Sequence, residues 1–343
     1  MRSRCLVLVL VWLLAACSRA PLHHQEAFVF GTRVEVLIAG LPEGEARSAA
    51  AAVLREFDRL HRTYHAWRPS ELSALNLAIA AGRRQPVTVE MADLIADAQR
   101  LTRLGEGLFD PGIGRLVSLW GFQSDDMPAT LPAPSAVAAW REAAPSILDL
   151  QLANGYVSSR KRQVALDFGG YLKGVALDHA AKILQAQGAH DALINIGGNV
   201  MALGRKNGEP WRVGIQHPRQ PGPLAMLELG DGEAIGTSGD YQRYFEAGGR
   251  RYSHLLDPRT GEPVTHTQAL TVLITRRPAA GTLSDAASKP LFIGGRDWPR
   301  LAHRLQVEHV LRIDAAGHLQ VSRAMENRLS YVGEPPSARE VIP

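Results

Sequence analysis

Cysteine is scarce in this chain of 343 residues, which contains only Cys5 and Cys17. Both lie near the N-terminus, so a form processed at Cys17 would keep one cysteine and could not form an internal disulfide. We therefore expect the hydrophobic core to be stable without covalent cross-links.

The chain also lacks a strong excess of charge of either sign. Its formal net charge is +4, and it would be +2 without Arg2 and Arg4. The basic residues are scattered along the chain, apart from short clusters such as those at 160–162 and 250–251. This pattern gives no support for nucleic-acid binding, whereas small acidic ligands such as phosphates remain compatible with it.

Long apolar runs are absent except at the N-terminus. There, two arginines precede an apolar stretch at positions 5–14, and small residues and Cys17 follow it. The stretch is too short for a spanning helix and has the flanks of a signal peptide. The letters LAAC resemble a bacterial lipobox, which predicts a lipoprotein signal peptide over 1–16. The alternative is an ordinary signal peptide cleaved near Ala20.

We therefore expect an exported protein that is lipid-anchored at Cys17 on the periplasmic side of a bacterial membrane. The sequence leaves open whether this is the inner or the outer membrane.

Apolar residues recur with helical spacing over 44–64, which predicts a helix there. Helices are also predicted over 88–104, between the N-cap Thr88 and the stop at Gly105, over 172–187, where Gly188 ends it, and over 298–305. The pair Asn154-Gly155 lies between two apolar stretches and indicates a β-hairpin. Strands are predicted at EAFVFGTRVEVLIAG, QVALDF, ALINI, WRVGIQ, AIGTSG, ALTVLIT and HVLRID.

This mixture predicts a single large α+β domain of mostly antiparallel sheet with packed helices. We expect a tether at 17–25, the domain at 26–335 and a short tail at 336–343. A doubly wound nucleotide fold is not expected, because the glycines of GGYLKG do not have the dinucleotide-binding spacing.

The stretch LDFGGYLKG combines a predicted strand end, two glycines and the start of a helix. It would bring the carboxylate of Asp167, bare backbone amides and the ammonium of Lys173 around one small volume. Such a volume suits a ribose and a pyrophosphate. Taken alone the signal is weak, since Lys173 could equally be a solvated helix residue.

The stretch LSDAASKPLF places an acid, a hydroxyl and an ammonium within five positions. On a helix, Asp285 and Ser288 share one face, where their oxygens could reach one hard cation. The ammonium of Lys289 would compete with that cation or take its place.

A series of eight motifs resembles one family, the FAD:protein FMN transferases, also called ApbE proteins. The motifs follow one another in the family's order over almost the whole mature chain: FGT, PSELSALN, GLFDPGIGRLVSLWGF, LDFGGYLKGVALDHA, INIGGN, SGDYQRYF, SHLLDPRTG and SDAASKPLF.

The resemblance implies an enzyme that binds FAD as a substrate and uses a divalent cation, usually Mg²⁺, to cleave its pyrophosphate. The FMN half would pass to a threonine of a target protein and AMP would leave. The implied targets are subunits of membrane redox complexes.

The resemblance also implies the residues of the flavin site. An aromatic residue before the SEL letters is part of it, for which Trp67 and Tyr64 are both candidates. His254 and Asp240 are the candidates for handling the hydroxyl proton, although a structural role could explain either. The implied cofactor-binding residues are Phe30, Trp67, Leu108, Phe109, Asp110, Asp167, Lys173 and Leu256.

For the metal, the resemblance implies the carbonyl of Gly170 and the carboxylate of Asp285. The usual threonine four residues after the aspartate is replaced here by Lys289. We expect the hydroxyl of Ser288 to replace that threonine while the head of Lys289 turns to solvent or a phosphate. The alternative is that Lys289 occupies the place of the cation.

Two other functions remain open from the sequence. One is a hydrolase that splits FAD into FMN and AMP, with water in place of the threonine. The other is a flavin-binding lipoprotein whose metal site has decayed and which acts as a carrier or structural partner.

Overall fold

The computed structural model describes residues 21–124 and 130–343. The predicted signal peptide and the predicted lipid site at Cys17 lie outside these residues. Across the two described ranges, none of the helices combines the length and the apolar character that crossing a bilayer requires.

The described chain is built around β-strands, which pair into one large sheet and several small ones. In chain order the strands are β1 (Leu22–Val29), β2 (Thr32–Ala39), β3 (Gln85–Pro86), β4 (Leu150–Ala153), β5 (Tyr156–Ser159), β6 (Asp191–Ile196), β7 (Asn199–Leu203), β8 (Trp211–Gln216), β9 (Pro223–Leu229), β10 (Ala234–Gly239), β11 (Tyr244–Ala247), β12 (Arg250–Ser253), β13 (Leu256–Asp257), β14 (Glu262–Pro263), β15 (Thr267–Ile274), β16 (His309–Asp314), β17 (Leu319–Ser322), β18 (Leu329–Tyr331) and β19 (Arg339–Ile342).

The large sheet has nine strands in the order β1-β2-β6-β7-β10-β15-β16-β17-β19. Its neighbouring strands are antiparallel, except that β17 and β19 run parallel. Two smaller sheets have the orders β18-β9-β8 and β3-β5-β4, while β11 pairs with β12 and β13 with β14. This pairing confirms the predicted α+β class with a mostly antiparallel sheet.

The helices of the described residues pack mainly on one face of the large sheet. They are α1 (Glu43–Thr63), α2 (Glu71–Ala80), α3 (Val89–Leu104), α4 (Gly114–Leu119), α5 (Pro134–Ala143), α6 (Leu172–Ala186), α7 (Ala280–Gly294), α8 (Trp298–Leu305) and α9 (Arg323–Glu326). Short 3-10 helices span Ile147–Asp149 and Gly295–Asp297.

Apolar clusters cover both faces of the large sheet. On the helical side, Val36 of β2 and Ile194 of β6 join the side chains of α1, α6 and α7 in one core. On the other side, Trp211 and Leu227 of the small β18-β9-β8 sheet pack against the large sheet. A third cluster joins α4 and α5 to the β11–β12 hairpin. The molecule therefore has a helical layer, a large sheet and a smaller sheet.

The predicted tether and tail both need correction at their inner ends. Residues 22–25 belong to β1, which pairs with β2 along its full length. Residues 339–342 form β19, which pairs with β17. Both strands lie at the edges of the large sheet and carry polar side chains. Edge strands bury little surface and can therefore be rich in polar residues, which is why these segments were predicted to be a tether and a tail.

Two internal predictions also differ from the structure. QVALDF is not a strand, and its only pairing is an isolated bridge between Ala165 and Ile113. Helix α2 was not predicted, although Ser70 and Ser73 form a reciprocal capping box at its start. A serine at the third helical position is a weaker sequence signal than the usual glutamate or glutamine.

Helices α6 and α7 lie in close contact because both have glycine where they meet. A Cβ on Gly174 would lie 2.7 Å from the Cβ of Asp285, and closer still to the carbonyl oxygen of Gly281. Under α7, a Cβ on Gly236 of β10 would clash with the carbonyl of Ser284. These glycines set the position of Asp285 relative to the start of α6.

Candidate active site

A two-glycine turn at 169–170 leads into α6, and the carboxylate of Asp167 lies just before this turn. The Oδ1 atom of Asp167 accepts a hydrogen bond of 2.8 Å from the backbone N–H of Gly169. Burial raises the pKa of Asp167, although this bond and a hydrogen bond with the side chain of Trp67 oppose the increase. The carboxylate is therefore held at the turn by neighbouring donors.

The structure separates the two aromatic candidates that precede the SEL letters. Tyr64 is buried and packs its ring edge-on against Phe168, with the ring centres 6.2 Å apart. Trp67 has 37% of its surface exposed, and its side chain lies beside Asp167. Trp67 is therefore the aromatic residue that a ligand at this turn can reach.

The carboxylate of Asp285 lies at the N-terminal end of α6. Its Oδ2 atom accepts a hydrogen bond of 2.9 Å from the backbone N–H of Gly174 in the first turn of that helix. The side chain is fully buried. Helix N-termini carry partial positive charge and unpaired N–H groups, which stabilise an anion placed there.

Lys289, one helical turn further along α7, directs its ammonium at Asp285. The Nζ atom forms an ion pair with Oδ1 of Asp285 and donates a hydrogen bond of 2.8 Å to the carbonyl oxygen of the same residue. Burial alone would raise the pKa of Asp285, but the charges of Lys289 and Lys173 outweigh it and hold that pKa below its usual value. The expectation that the Lys289 head turns away from Asp285 is therefore wrong.

The stem of Lys289 also fills the space above the glycine turn. A Cβ on Gly170 would lie 3.3 Å from the Cε atom of Lys289. Only 15% of the Lys289 side chain is exposed. The turn, the lysine and Asp285 thus form one packed unit.

Ser288 is not free to act as a ligand in place of the threonine. Its hydroxyl lies 2.8 Å from the hydroxyl of Ser238 on β10 and donates to the carbonyl oxygen of Asp285, also at 2.8 Å. Ser288 and Asp285 are both completely buried. The predicted role of Ser288 is therefore replaced by a structural one between α7 and β10.

This donor set does not fit a magnesium ion. A divalent cation needs several free oxygen ligands, yet each oxygen of Asp285 already accepts a hydrogen bond or ion pair from Lys289, Gly174 or Ser288. Among the residues that the structure describes, no cluster of three histidine, cysteine or acidic ligands includes Asp285. The ammonium of Lys289 stands where the predicted cation would approach that carboxylate.

His254 lies close to this cluster of charges. Its Nδ1 atom is 3.0 Å from the carbonyl oxygen of Arg243, which accepts a hydrogen bond and so leaves Nε2 as the unprotonated nitrogen. Burial is the main reason that the pKa of His254 falls to about 4, and the charges of Lys173 and Lys289 lower it further. The imidazole is therefore neutral at neutral pH, with a lone pair on Nε2.

Asp240, the other predicted proton-handling residue, is held in a different interaction. Both of its carboxylate oxygens accept hydrogen bonds from Arg219, at 2.7 and 2.6 Å. A bidentate guanidinium partner holds the carboxylate in a pair of charge-assisted hydrogen bonds. The structure thus places Asp240 in an ion pair, and His254 is the better candidate for a base.

The carboxylate of Asp110, a predicted cofactor-binding residue, forms hydrogen bonds within the protein itself. Its Oδ1 atom accepts backbone hydrogen bonds from Gly112 at 2.7 Å and from Ile147 at 2.9 Å. Burial raises the pKa of Asp110 despite these bonds. The carboxylate therefore braces the loop that carries Leu108 and Phe109.

The predicted apolar residues of the flavin site are mostly buried. Leu108, Phe109 and Leu256 have at most 5% of their surface exposed. Phe30 is half-buried and has a positive φ of 57°, with its ring edge-on to His61 at 5.6 Å. Leu108, Phe109 and Phe30 pack in the main core on the helical side of the sheet, whereas Leu256 belongs to the cluster of α4, α5 and the β11–β12 hairpin.

Sequence reasoning missed one contributor to the site, Arg219, which fixes Asp240 and lies outside the recognised motifs. Ser238, which binds Ser288, and Arg243, whose carbonyl orients His254, both belong to the SGDYQRYF motif. Arg243 and His254 lie opposite each other next to the paired residues of the β11–β12 hairpin, so hairpin pairing brings them together.

Comparison with known proteins places these features in a family context. A model of the ApbE family matches residues 30–311. The FAD:protein FMN transferase of Rhodobacter capsulatus is 41% identical over 314 residues, which cover 91% of this chain and 59% of that protein. The enzyme of the same name from Klebsiella pneumoniae is 34% identical over 244 residues, covering 69% of each chain. The chain thus spans less than two thirds of the length of the Rhodobacter relative.

Solved structures give the same result at the level of the fold. The ApbE protein from Thermotoga maritima has a TM-score of 0.81 and 27% identity, covering 90% of this chain and 99% of that one. The flavin transferase ApbE from Vibrio cholerae has a TM-score of 0.78 at 27% identity, with the same coverage.

Proposed function

Because this chain belongs to the ApbE family, we propose that it transfers FMN from FAD to a hydroxyl group of a target protein and releases AMP. The observation that carries this proposal is the neutral His254 beside two lysines and a two-glycine turn. Cations and bare amides suit a pyrophosphate, and a neutral imidazole suits the activation of a hydroxyl.

The pyrophosphate of FAD is bound by the start of α6 and the charges around it. Lys173 lies in the first turn of that helix, and its charge acts on Asp285, Lys289 and His254 alike. Asp167 and Trp67 flank the same turn and suit hydroxyl and ring groups of the flavin half. The cluster thus offers positive charge where the phosphates lie, and a carboxylate and an aromatic ring beside it.

His254 accepts the proton of the incoming hydroxyl at Nε2. The hydroxyl oxygen forms a bond to the phosphorus of the FMN half, and the bond from that phosphorus to the bridging oxygen breaks. The bridging oxygen leaves with AMP, so one phosphoester replaces one phosphoanhydride bond. Lys173 and Lys289 stabilise the negative charge that develops on the phosphate oxygens.

The acceptor is a threonine of a target protein, for which subunits of membrane redox complexes are the expected class. An anchor at Cys17 on the periplasmic side would hold the enzyme beside such subunits. The names of the relatives support a protein acceptor, and the LAAC letters support the anchor.

The magnesium ion expected from the resemblance has no suitable ligand set around Asp285 among the described residues. The carboxylate that would bind it is neutralised by Lys289. The roles given above to Lys173, Lys289 and His254 therefore involve no metal.

A single incubation tests the proposal. The purified full chain is mixed with FAD and an acceptor protein that carries the target threonine, and the products are analysed by mass spectrometry. Covalent FMN on the acceptor with equimolar AMP is the expected result. Free FMN and AMP without acceptor labelling would indicate a hydrolase, and intact bound FAD would indicate a carrier. An acceptor with the threonine replaced by valine is the control.

A further inference from the structure

We propose that the ammonium of Lys289 is the resident cation of this active site, so that FAD binding and FMN transfer proceed without a divalent metal. The inference rests on the proposed transferase function and adds the identity of the charge that serves it. Three features of the described residues lead to it: the pairing of Asp285, the confinement of Lys289 and the number of donors that its ammonium has.

The first feature is that every oxygen of Asp285 already has a hydrogen-bond or ion-pair partner. Lys289 pairs with Oδ1, the N–H of Gly174 occupies Oδ2, and the backbone carbonyl accepts from both Lys289 and Ser288. A metal at Asp285 would have to displace the ammonium. A buried charge that loses its partner is strongly destabilised, so the displaced lysine would need a new anionic partner.

The second feature is that Lys289 is confined. Its stem lies against Gly170, its side chain is 15% exposed, and it extends from α7, which touches the glycines of α6 and β10. In the described residues, the carboxylate of Asp285 is the anion that it reaches. The lysine is thus part of the packed site and does not behave as a mobile surface cation.

The third feature is the number of hydrogen-bond donors on the ammonium. A lysine ammonium has three N–H donors. Two of them are directed at the carboxylate and the carbonyl of Asp285. The third is available to an oxygen of the bound pyrophosphate. Lys173, whose charge acts on both Asp285 and Lys289, supplies a second positive charge near the same place.

Two monovalent ammonium groups can thus replace the charge of one divalent ion. They provide charge and hydrogen bonds at fixed positions but no exchangeable coordination position. The expected consequence is an enzyme that is insensitive to chelators.

The test measures FAD affinity and FMN transfer separately, with the full chain and in two conditions, excess EDTA or added Mg²⁺. FAD affinity is read from quenching of flavin fluorescence and transfer from the mass of the acceptor. The parent is expected to bind FAD and to transfer FMN about equally in both conditions. Loss of binding or transfer in EDTA that Mg²⁺ restores would overturn the proposal.

Two substitutions sharpen the result. Lys289→Met removes the charge and offers no oxygen ligand, so FAD affinity should fall by about ten- to a hundredfold in both conditions. Lys289→Thr restores a hydroxyl and frees Asp285, so its affinity should become dependent on Mg²⁺. Equal FAD affinity of the parent and Lys289→Met would contradict the proposal. Lys206→Met, at an exposed lysine outside the site, is the matched control.

The two proposals fail in different ways. If the parent binds FAD in EDTA but labels no acceptor in either condition, the transferase function is wrong while the lysine still serves as the cation for FAD binding. If labelling occurs only with Mg²⁺, the transferase function holds and the role of Lys289 is wrong. Thermal unfolding of each variant shows whether a loss of affinity reflects a loss of folding.

Discussion

At the scale of single residues, the site depends on a histidine whose protonation is set by its surroundings. His254 has a pKa lowered to about 4 by burial and by nearby lysines, and its Nδ1–H is held by the carbonyl of Arg243. The neutral form therefore dominates at every pH well above 4. The imidazole is thus unprotonated and available as a proton acceptor near neutral pH, while its low pKa makes it a weaker base than an ordinary histidine.

We expect His254→Gln to lower FMN transfer by about a hundredfold or more, because the hydroxyl loses its proton acceptor. FAD affinity should change little, since glutamine keeps a polar group of similar size. In the parent, kcat/KM should be constant between about pH 6 and 8 and should fall as the pH approaches 4. The measurement is a pH series with acceptor labelling as the readout.

Asp240→Asn provides the contrast to this substitution. Because Arg219 already holds both oxygens of Asp240, the variant should keep the same acid limb of the pH profile as the parent. If Asp240→Asn loses transfer as completely as His254→Gln, then Asp240 is the base and His254 has a structural role.

Lys173 is expected to contribute directly to FAD binding. Loss of a charge-assisted hydrogen bond costs about 1.5 to 3 kcal/mol, so Lys173→Ala should weaken FAD binding by about ten- to a hundredfold. The affinity is measured by flavin fluorescence, with Lys206→Ala as the control. Unchanged affinity in Lys173→Ala would mean that the pyrophosphate lies elsewhere.

At the scale of elements, α6 and α7 hold each other's N-termini. Asp285 of α7 accepts from the first turn of α6, and Asp178 of α6 accepts from the N–H groups of Gly281 and Thr282 at the start of α7. Each helix thus supplies the cap that the other lacks within its own sequence. This reciprocal capping fixes the two helices in the relative position that the active site requires.

The glycines between these helices allow that position. Gly174→Ala would place a Cβ against Gly281 and 2.7 Å from the Cβ of Asp285, so the helices must move apart. We expect a loss of about 1 to 3 kcal/mol in the free energy of unfolding, and weaker FAD binding because Asp285 and Lys289 shift. Urea unfolding and flavin fluorescence measure the two effects.

Gly44 in α1 is the matched control, because a Cβ there would meet nothing within 4 Å. Gly44→Ala should raise the free energy of unfolding by up to about 1 kcal/mol, since alanine restricts the unfolded chain. If Gly174→Ala is as stable as the parent, the close contact between α6 and α7 is not required.

At the scale of the whole molecule, the first strand of the chain, β1, lies at an edge of the large sheet. β1 starts at Leu22, five positions after Cys17. A lipid on Cys17 would therefore hold this edge of the domain near a membrane surface. Such an anchor would limit the acceptors to proteins at the same membrane.

The anchor is tested by Cys17→Ser. This substitution should move the protein from the membrane fraction to the soluble fraction, because serine cannot carry the thioether-linked lipid. Cys5→Ser, which leaves the LAAC letters intact, should keep the parent distribution. Membrane association that persists in Cys17→Ser would show that another feature holds the protein there.

Much of this molecule could be predicted from its amino-acid order. The helices at 172–186 and 298–305 and the strands β6, β8 and β10 lie close to their predicted bounds, because hydrophobic periodicity is a local property that a short segment carries by itself. The predicted family is confirmed by the match over residues 30–311. The edge strand β19 and the first residues of the edge strand β1 were missed, since a strand that buries little surface carries little periodic signal.

The ion pairs of the site were decided only by the tertiary structure. Sequence spacing allowed Lys289 to face solvent, a phosphate or Asp285, and it allowed Asp240 to be a free base. Because α7 packs between α6 and β10, Asp285 is completely buried. Its ion-pair partner is then the ammonium of Lys289, one helical turn away. Arg219, which lies outside the motif that contains Asp240, forms an ion pair with Asp240. Which charges pair depends on which groups lose their water together, and burial of this kind is a property of the assembled fold.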